Sequence, residues 1–487
     1  MAFKENIIKI IATLGPVSES ADMIKKLITA GVDVFRLNFS HGTHEEKREI
    51  VNRIREIDDY IAILADIQGP KIRVGKFKDD QTYHLSSGQK IKIYEKEIIG
   101  DNEQFSIPLK GFINTMELGD FFYINDGIIK IKVNEKNGDH LIGEVVTGGN
   151  ISSNKGVNVP TEDFHQTIPT DKDIKDLELI AALDIDYVAI SFVSSGDDVL
   201  HVKKILENYG NDKIKLISKI ERPIAITNFD QILEVSDGIM IARGDLGVEI
   251  TPDKVPLEQK ELIYKCNKEG KLVIVATQML ESMINSPVPT RAEASDVFNA
   301  VLDGTDAVML SAETAVGNYP LKAVEFMNDI AYTANEYMPK RIPDMYDSER
   351  LTHTQTLGHA IYSLAHEMEE LNFRGKILII TRGGYGVKMT SKYRPPLPII
   401  AITPSKKTAR ELHLIWGVHP YHIENIDFFN MDAEDIIEQS VKFAVENEAV
   451  NENEHVIILL VSRKFQRRGN LIGFYYVGEI LEKASKK

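Results

Sequence analysis

The chain has 487 residues, too many for one hydrophobic core, so two or three domains are expected. Its 57 lysines and arginines face 73 acidic residues, and the net charge of −16 argues against a general nucleic-acid or membrane binder. The single cysteine, Cys266, excludes an intrachain disulfide, and no apolar run is long enough to span a bilayer, so the sequence reads as cytoplasmic.

Strand-like apolar runs recur at Ile7–Thr13, Val34–Phe39, Ile61–Asp66, Tyr187–Phe192, Lys215–Lys219, Gly238–Ala242, Leu272–Thr277 and Ala307–Ser311. Helical patterns separate them, among them Ser20–Ala30, Thr43–Ile57, Asp171–Leu183, Leu257–Lys268, Arg291–Leu302 and Pro320–Tyr337. Eight such units predict an α/β chain built on a closed (β/α)8 TIM barrel, with a doubly wound open sheet as the alternative. The alternation breaks after Asp66. From Lys71 to Thr167 helical signals vanish, and short alternating runs appear at Lys90–Tyr94, Phe121–Ile124, Ile128–Val133 and Leu141–Val146. Turn signals at Asp126-Gly127 and Asn137-Gly138-Asp139 punctuate them. This predicts an all-β domain inserted after the third barrel strand, at the face where barrel active sites lie, and hence a mobile lid. Past Tyr337, Met338–Tyr346 reads as a linker. Beyond it Ile377–Thr381, Ile399–Thr403 and Val456–Val461 alternate with the helices Thr356–Leu371, Thr408–Leu414 and Ala433–Asn447, as in an α/β open sheet. The expected division is 1–70 with 168–340 for the barrel, 71–167 for a β-barrel lid, and 341–487 for a C-terminal regulatory domain.

Polar residues gather where the strand-like runs end. The second ends in Arg36, Asn38, Ser40 and His41, and the third in Asp66, Lys71 and Arg73. The fifth gives Lys219 and Glu221, the sixth Arg243 and Asp245, the seventh Thr277, and the eighth Ser311 and Glu313. Residues two apart on a strand face the same way, so Lys219 and Glu221 enter one site together. An ammonium beside the carboxylates of Glu221 and Asp245 suits a magnesium ion holding a phosphorylated substrate: hard oxygens suit the metal, and lysine neutralises phosphoryl charge. A lone Lys-x-Glu would read as a surface salt bridge, but a surplus of cations on one face of an acidic chain favours an anionic substrate. Gly244-Asp245-Leu246-Gly247 reads either as backbone N–H groups offered to an anion or as a plain tight turn. His44, Glu45 and Glu46 read as the first turn of a helix capped by Thr43, and Trp416 as packing.

The chain resembles the pyruvate kinases over nearly its whole length. The stretches that carry the resemblance are VDVFRLNFSHGTHEE, GPKIRVG, SNKGVNVP, KLISKIERPIAITNFDQILEVSDGIMIARGDLGVEI, KLVIVATQMLESMI, PTRAEASDVFNAVLDGTDAVMLSAETAVGNYP and KYRPPLPIIAIT. The resemblance implies phosphoryl transfer from phosphoenolpyruvate to ADP, giving pyruvate and ATP, with Mg2+ or Mn2+ and in a homotetramer. It implies that Glu221 and Asp245 hold the metal and that Lys219 stabilises the phosphoryl group in flight. Arg36 and Arg73 would neutralise phosphoryl oxygens, and Lys155 would reach the nucleotide, with Asn38 and His41 on the same side. The backbone of Arg243, Gly244 and Asp245 would bind the substrate carboxylate, and Thr277 would help deliver a proton to the enolate. Asn38, Ser40 and Asp66 occupy the family's monovalent-cation pocket.

This sequence departs from the family pattern in places. Lys71 stands where potassium-dependent members have Glu, and Ile67 replaces a common Thr, so K+ is not expected to be required. The loop TRGGYG stands where the family's sugar-phosphate loop is usually rich in Ser and Thr, and GNLIGFYYVGEIL departs from the usual Gly-Thr-Thr-Asn ending. Fructose 1,6-bisphosphate is therefore not expected to activate, while Gly383, Gly384 and Gly386 offer N–H groups to some other phosphorylated allosteric effector. Two other classes compete. A barrel lyase or aldolase acting on an enolate would share Lys219 and the carboxylates but not need the lid, Lys155 or the Arg36–Arg73 pair. A non-catalytic metabolite-binding scaffold would be expected to have lost Lys219, Glu221, Asp245 or Thr277.

Overall fold

Strands buried on both faces carry unbroken apolar sequence, and helices must cover them. In the computed structural model, which describes residues 7–125, 127–159, 167–338, 352–424, 426, 430–462 and 469–485, that is how the barrel is built. Lys9–Leu14, Val34–Asn38, Ala62–Asp66, Tyr187–Ile190, Lys215–Ile220, Gly238–Ala242, Leu272–Ala276 and Ala307–Leu310 pair in parallel, each with the next. The eighth returns to the first, from Lys9↔Ala307 to Ala12↔Leu310, so the barrel is closed and the open-sheet alternative falls.

Every expected barrel helix is present, and local chemistry sets where several begin. Thr43 with Glu46, Thr170 with Asp173 and Thr290 with Glu293 form reciprocal capping boxes at the starts of His44–Ile57, Asp171–Ala182 and Arg291–Leu302. The helices then bury one stripe: Ile50, Val51 and Ile54 of His44–Ile57 face the strands. A further helix, Gly196–Asn208, fills the interval between the fourth and fifth strands; Asp198 Oδ2 accepts the N–H groups of Ser194 and Ser195 at its start.

The inserted segment has its own core, centred on Phe77, Phe105, Phe112 and Phe122. Lys90–Tyr94, Gln104–Ser106, Phe121–Ile124, Ile129–Asn137, His140–Thr147 and Val157–Asn158 form one six-stranded sheet, and Tyr83–Leu85 pairs with Gly149–Ile151 in a second. Two details correct the expectation. Among the described residues the large sheet is open and does not close into a β-barrel; its edge strands are three and two residues long. Beside it, Arg73↔Gly156 and Phe77↔Gly100 pair as isolated bridges. The lid also contains short helical turns at Lys78–Asp80 and at Phe112–Thr115, the latter burying Phe112 and Ile113. Asn137 pairs with His140 across the expected hairpin turn, while Asp126 of the other turn lies outside the described residues.

The C-terminal unit is an open five-stranded sheet, as expected, in the order Val418–His422, Ile399–Thr403, Gly375–Ile380, His455–Ser462 and Gly469–Tyr476. The last strand runs antiparallel. Val418–His422 is not among the expected strands; it carries Pro420 and forms an edge, where proline is tolerated. Beyond Met338, the expected linker lies outside the described residues. This unit seats on the N-terminal end of the barrel. Arg394 reaches Asp306 Oδ1 at 2.9 Å, Asn267 Oδ1 at 2.8 Å and the Gly304 carbonyl at 2.7 Å. Trp416 packs over the same guanidinium at 5.1 Å and is buried, in keeping with a packing role. No described helix is long and apolar enough to cross a membrane.

Candidate active site

Lys219 lies in the fifth barrel strand and Glu221 one residue past its end. Their same-face spacing brings Lys219 Nζ within 2.8 Å of Glu221 Oε1. The ammonium also stands 3.3 Å from Asp66 Oδ1 and donates to Ser191 Oγ at 2.7 Å. Asp66, at the end of the third strand, accepts Arg36 Nε at 2.8 Å, and Arg36 donates its NH1 to Thr13 Oγ1 at 3.0 Å. Three strands thus contribute to one chain of alternating charge, Arg36–Asp66–Lys219–Glu221.

Burial sets the electrostatics of this chain. It works against the Lys219 charge, but Asp66 and then Glu221 more than offset it, so the ammonium is held more firmly protonated than a free lysine. Burial likewise pushes the Asp66 carboxyl up, and Lys219 and Arg36 overcome it, holding Asp66 below the usual carboxylate range. At Glu221 burial wins: its pKa is raised despite Lys219, and the negative charge of Asp245 adds to the rise.

Asp245 comes from a short helix, Arg243–Glu249, that starts directly on the sixth strand where a tight turn was one expectation. This helix corrects the expected count of cations on the open face. The Arg243 guanidinium turns away from the cleft and is buried, donating to Asp296 at 2.7 Å and to the carbonyls of Thr277 and Gln278 at 3.0 and 3.1 Å. The Gly244 N–H donates to Thr277 Oγ1 at 2.7 Å, tying the sixth strand's end to the seventh's. Thr277 and Gln278 have φ of 67° and 53°, a left-handed conformation that costs a non-glycine residue on the order of 1–3 kcal/mol. Lys71 Nζ lies 3.8 Å from Asp245 Oδ1.

The remaining expected residues frame the site. Arg73 donates its NH1 to the Asn154 carbonyl at 3.0 Å, beside Lys155, whose own carbonyl accepts the Val74 N–H at 2.9 Å. The two lid segments next to the barrel are thereby stitched together. Asn38 Oδ1 accepts the Ser40 N–H at 3.0 Å, closing the loop after the second strand on itself. His41 is lowered in pKa, first by partial burial and then by the charges of Arg73, Lys47, Arg36 and Lys172, so cations converge on this side of the cleft. Ser311 and Glu313 serve structure: the buried Glu313 carboxylate accepts the N–H groups of Ser311 at 2.7 Å and Leu280 at 3.3 Å. A cleft of about 870 Å3 flanks the site at the base of the lid; Lys71 and Arg73 line it, and Lys219, Glu221 and Asp245 do not.

A family model described as "Pyruvate kinase, barrel domain" matches residues 5–324, and one described as "Pyruvate kinase, alpha/beta domain" matches residues 359–470. The chain belongs to the pyruvate kinase family. It is 41% identical over 486 residues to the pyruvate kinase of Staphylococcus haemolyticus, an alignment covering 98% of this chain and 81% of that one. The enzyme of Staphylococcus saprophyticus is 40% identical over 484 residues, with the same coverage. That of Staphylococcus aureus strain MRSA252 is 42% identical over 459 residues, 92% of this chain and 77% of the relative. Nothing among these matches supports a lyase, an aldolase or a non-catalytic scaffold.

Against the pyruvate kinase expectation, two residues of the site went unread. Thr13 and Ser191 stand at the ends of the first and fourth strands, the two strands whose ends had been assigned no polar residue. The rule applied to the other six, polar side chains at the C-terminal strand ends, finds both.

Proposed function

We propose that the chain transfers the phosphoryl group of phosphoenolpyruvate to ADP, giving pyruvate and ATP, at the C-terminal end of the barrel. The observation that carries this reading is the Lys219 ammonium, held fully charged between Asp66 and Glu221 with Arg36 on the far side of Asp66. Phosphoryl transfer asks little covalent chemistry of a protein and much positioning and charge neutralisation. Lys219 stabilises the phosphoryl group between donor and acceptor oxygens, while Arg36 and Arg73 neutralise its equatorial oxygens. The backbone of Arg243, Gly244 and Asp245 receives the substrate carboxylate. Thr277 contacts the enolate left behind and helps bring a proton to it. Lys155, His41 and Asn38 lie on the nucleotide side, and the lid excludes water from the transfer.

The donor set fits a divalent ion. Glu221 and Asp245 are hard carboxylates; burial raises the Glu221 pKa and the negative charge of Asp245 adds to the rise, which a cation between them would oppose. Among the described residues no cluster of three or more His, Cys, Asp or Glu gathers, so substrate oxygens and water would complete a magnesium or manganese shell. When bound, the ion supplies Lewis-acid charge to the phosphoryl oxygens. Monovalent potassium is not required in this reading. Asp66, from the family's monovalent-cation pocket, is already committed to Arg36 and Lys219, and Lys71 brings a tethered ammonium to Asp245.

Residues 1–70 with 168–340, 71–167 and 341–487 are proposed as barrel, lid and C-terminal regulatory domains. The protein is proposed to work in the cytoplasm as a homotetramer. Fructose 1,6-bisphosphate is not the effector. Of the three glycine amides expected to meet some other phosphorylated effector, that of Gly384 donates to Thr381 Oγ1 at 3.1 Å, so Gly383 and Gly386 are the two proposed for that role. A phosphoenolpyruvate saturation curve unchanged by that sugar is the expected result; a sigmoidal curve made hyperbolic refutes it. The reaction itself is tested by following pyruvate and ATP from phosphoenolpyruvate, ADP and magnesium.

A further inference from the structure

We propose that Ser191 and Phe192, the two residues after the fourth barrel strand, are the positioning element of the Lys219–Glu221 pair. The proposal rests on the phosphoryl-transfer reading for its kinetic consequences, but its geometry stands apart from that reading.

Ser191 is buried, and its hydroxyl is committed in both directions. Its proton goes to the Ile67 carbonyl at 2.7 Å, with Asp66 Oδ1 farther off at 3.3 Å. That leaves the oxygen's lone pair facing the Lys219 ammonium, which donates to it at 2.7 Å. An ammonium has three protons, and Lys219 has three acceptors in reach: Glu221, Asp66 and Ser191. Two of these are carboxylates. Alone they would let the cation slide along the line between them, toward either charge. The neutral hydroxyl is a third anchor that fixes the ammonium without cancelling any of its charge.

The next residue holds the other member of the pair. The Phe192 N–H donates to Glu221 Oε2 at 2.7 Å, leaving Oε1 to Lys219. Neighbouring residues therefore position the cation through a side chain and the carboxylate through the backbone. The arrangement demands an unusual backbone: Phe192 has φ of 60°, a conformation rare for a bulky side chain. The surrounding structure enforces it. Gly69, at φ 65° in the segment leading into the lid, lies so close that a Cβ there would meet the Phe192 ring at 2.9 Å and Ser191 Cβ at 3.0 Å. Gly69 is itself pinned by its N–H donating to Asp173 Oδ1 at 3.1 Å.

The test compares wild type, Ser191→Ala and Ser191→Thr. Loss of one hydrogen bond to a charged group predicts a kcat about tenfold to a hundredfold lower for Ser191→Ala, with the KM for phosphoenolpyruvate little changed. Ser191→Thr, which restores the hydroxyl, is expected to recover most of that loss. A role in folding alone would lower the thermal midpoint of Ser191→Ala without separating kcat from KM. The second readout needs no turnover. In a crystal structure of Ser191→Ala, the Lys219 ammonium is expected to leave its position between Asp66 and Glu221. An unmoved ammonium with unchanged kcat overturns the proposal. A wild-type protein that makes no pyruvate refutes the phosphoryl-transfer reading instead, and the displacement of Lys219 still decides the positioning claim.

Discussion

Lys71 Nζ stands 3.8 Å from Asp245 Oδ1, so the segment that leads into the lid delivers a positive charge to a carboxylate proposed to hold the metal. In the proposed reading this fixed ammonium takes the place of a monovalent cation recruited from solution, and it repels a further cation by Coulomb's law. Turnover in a buffer with tetramethylammonium as the sole monovalent cation is expected to be unchanged by potassium chloride. Lys71→Glu reverses the charge and should create a potassium stimulation of about tenfold or more, equivalent to roughly 1.4 kcal/mol of barrier. Strong potassium activation of the unaltered protein would contradict this.

Arg394 is buried between the C-terminal unit and the base of the barrel, where Asp306, Asn267 and Gly304 accept its donors. Removing one partner of a buried ion pair strands the other, which typically costs about 3–5 kcal/mol. Arg394→Ala is expected to lower the thermal unfolding midpoint clearly, and Arg394→Lys to recover only part of it, because an ammonium cannot reproduce the fork. Equal midpoints for wild type and Arg394→Ala would show that the two units do not depend on this contact.

His413 and His419 lie on the C-terminal unit near Lys9 of the barrel, and both are pushed down to about 3, first by burial and then by the Lys9 charge. In the unfolded chain each titrates near the ordinary 6.5. Between those values the unfolded state binds protons that the folded state refuses. Their contribution to stability is therefore complete above about pH 6.5 and lost progressively as pH falls toward 3. Thermal midpoints measured at intervals from pH 7.5 down to pH 4.5 should fall. The double variant His413→Gln, His419→Gln should fall less steeply. Parallel slopes for the two proteins would exclude these histidines.

Much of this architecture was legible in the residues. Eight unbroken apolar runs could be placed because strands buried on both faces tolerate little else, and Thr43 marked a helix start through local capping chemistry. The Lys219–Glu221 pair was legible for the same reason: a spacing of two is a local fact about a strand. What escaped was set by residues distant in sequence. The direction of the Arg243 side chain depends on Asp296, which lies on another helix. The value of Ser191 depends on Lys219, and the tolerance of Pro420 depends on Val418–His422 being an edge. Whether the lid sheet closes depends on whether its two outermost strands pair with each other, which hydrophobic alternation does not report.

The central claim, that a charged Lys219 between Asp66 and Glu221 serves phosphoryl transfer, is tested most directly by one paired assay. Wild type and Lys219→Met are incubated with phosphoenolpyruvate, ADP and magnesium, pyruvate and ATP are quantified, and circular dichroism compares the folds. Equal amounts of pyruvate and ATP from wild type, with a loss of about 10²–10³-fold or more in Lys219→Met at unchanged secondary structure, are predicted from the removal of transition-state charge stabilisation. No pyruvate from wild type, or near-normal ATP synthesis by Lys219→Met, would contradict it.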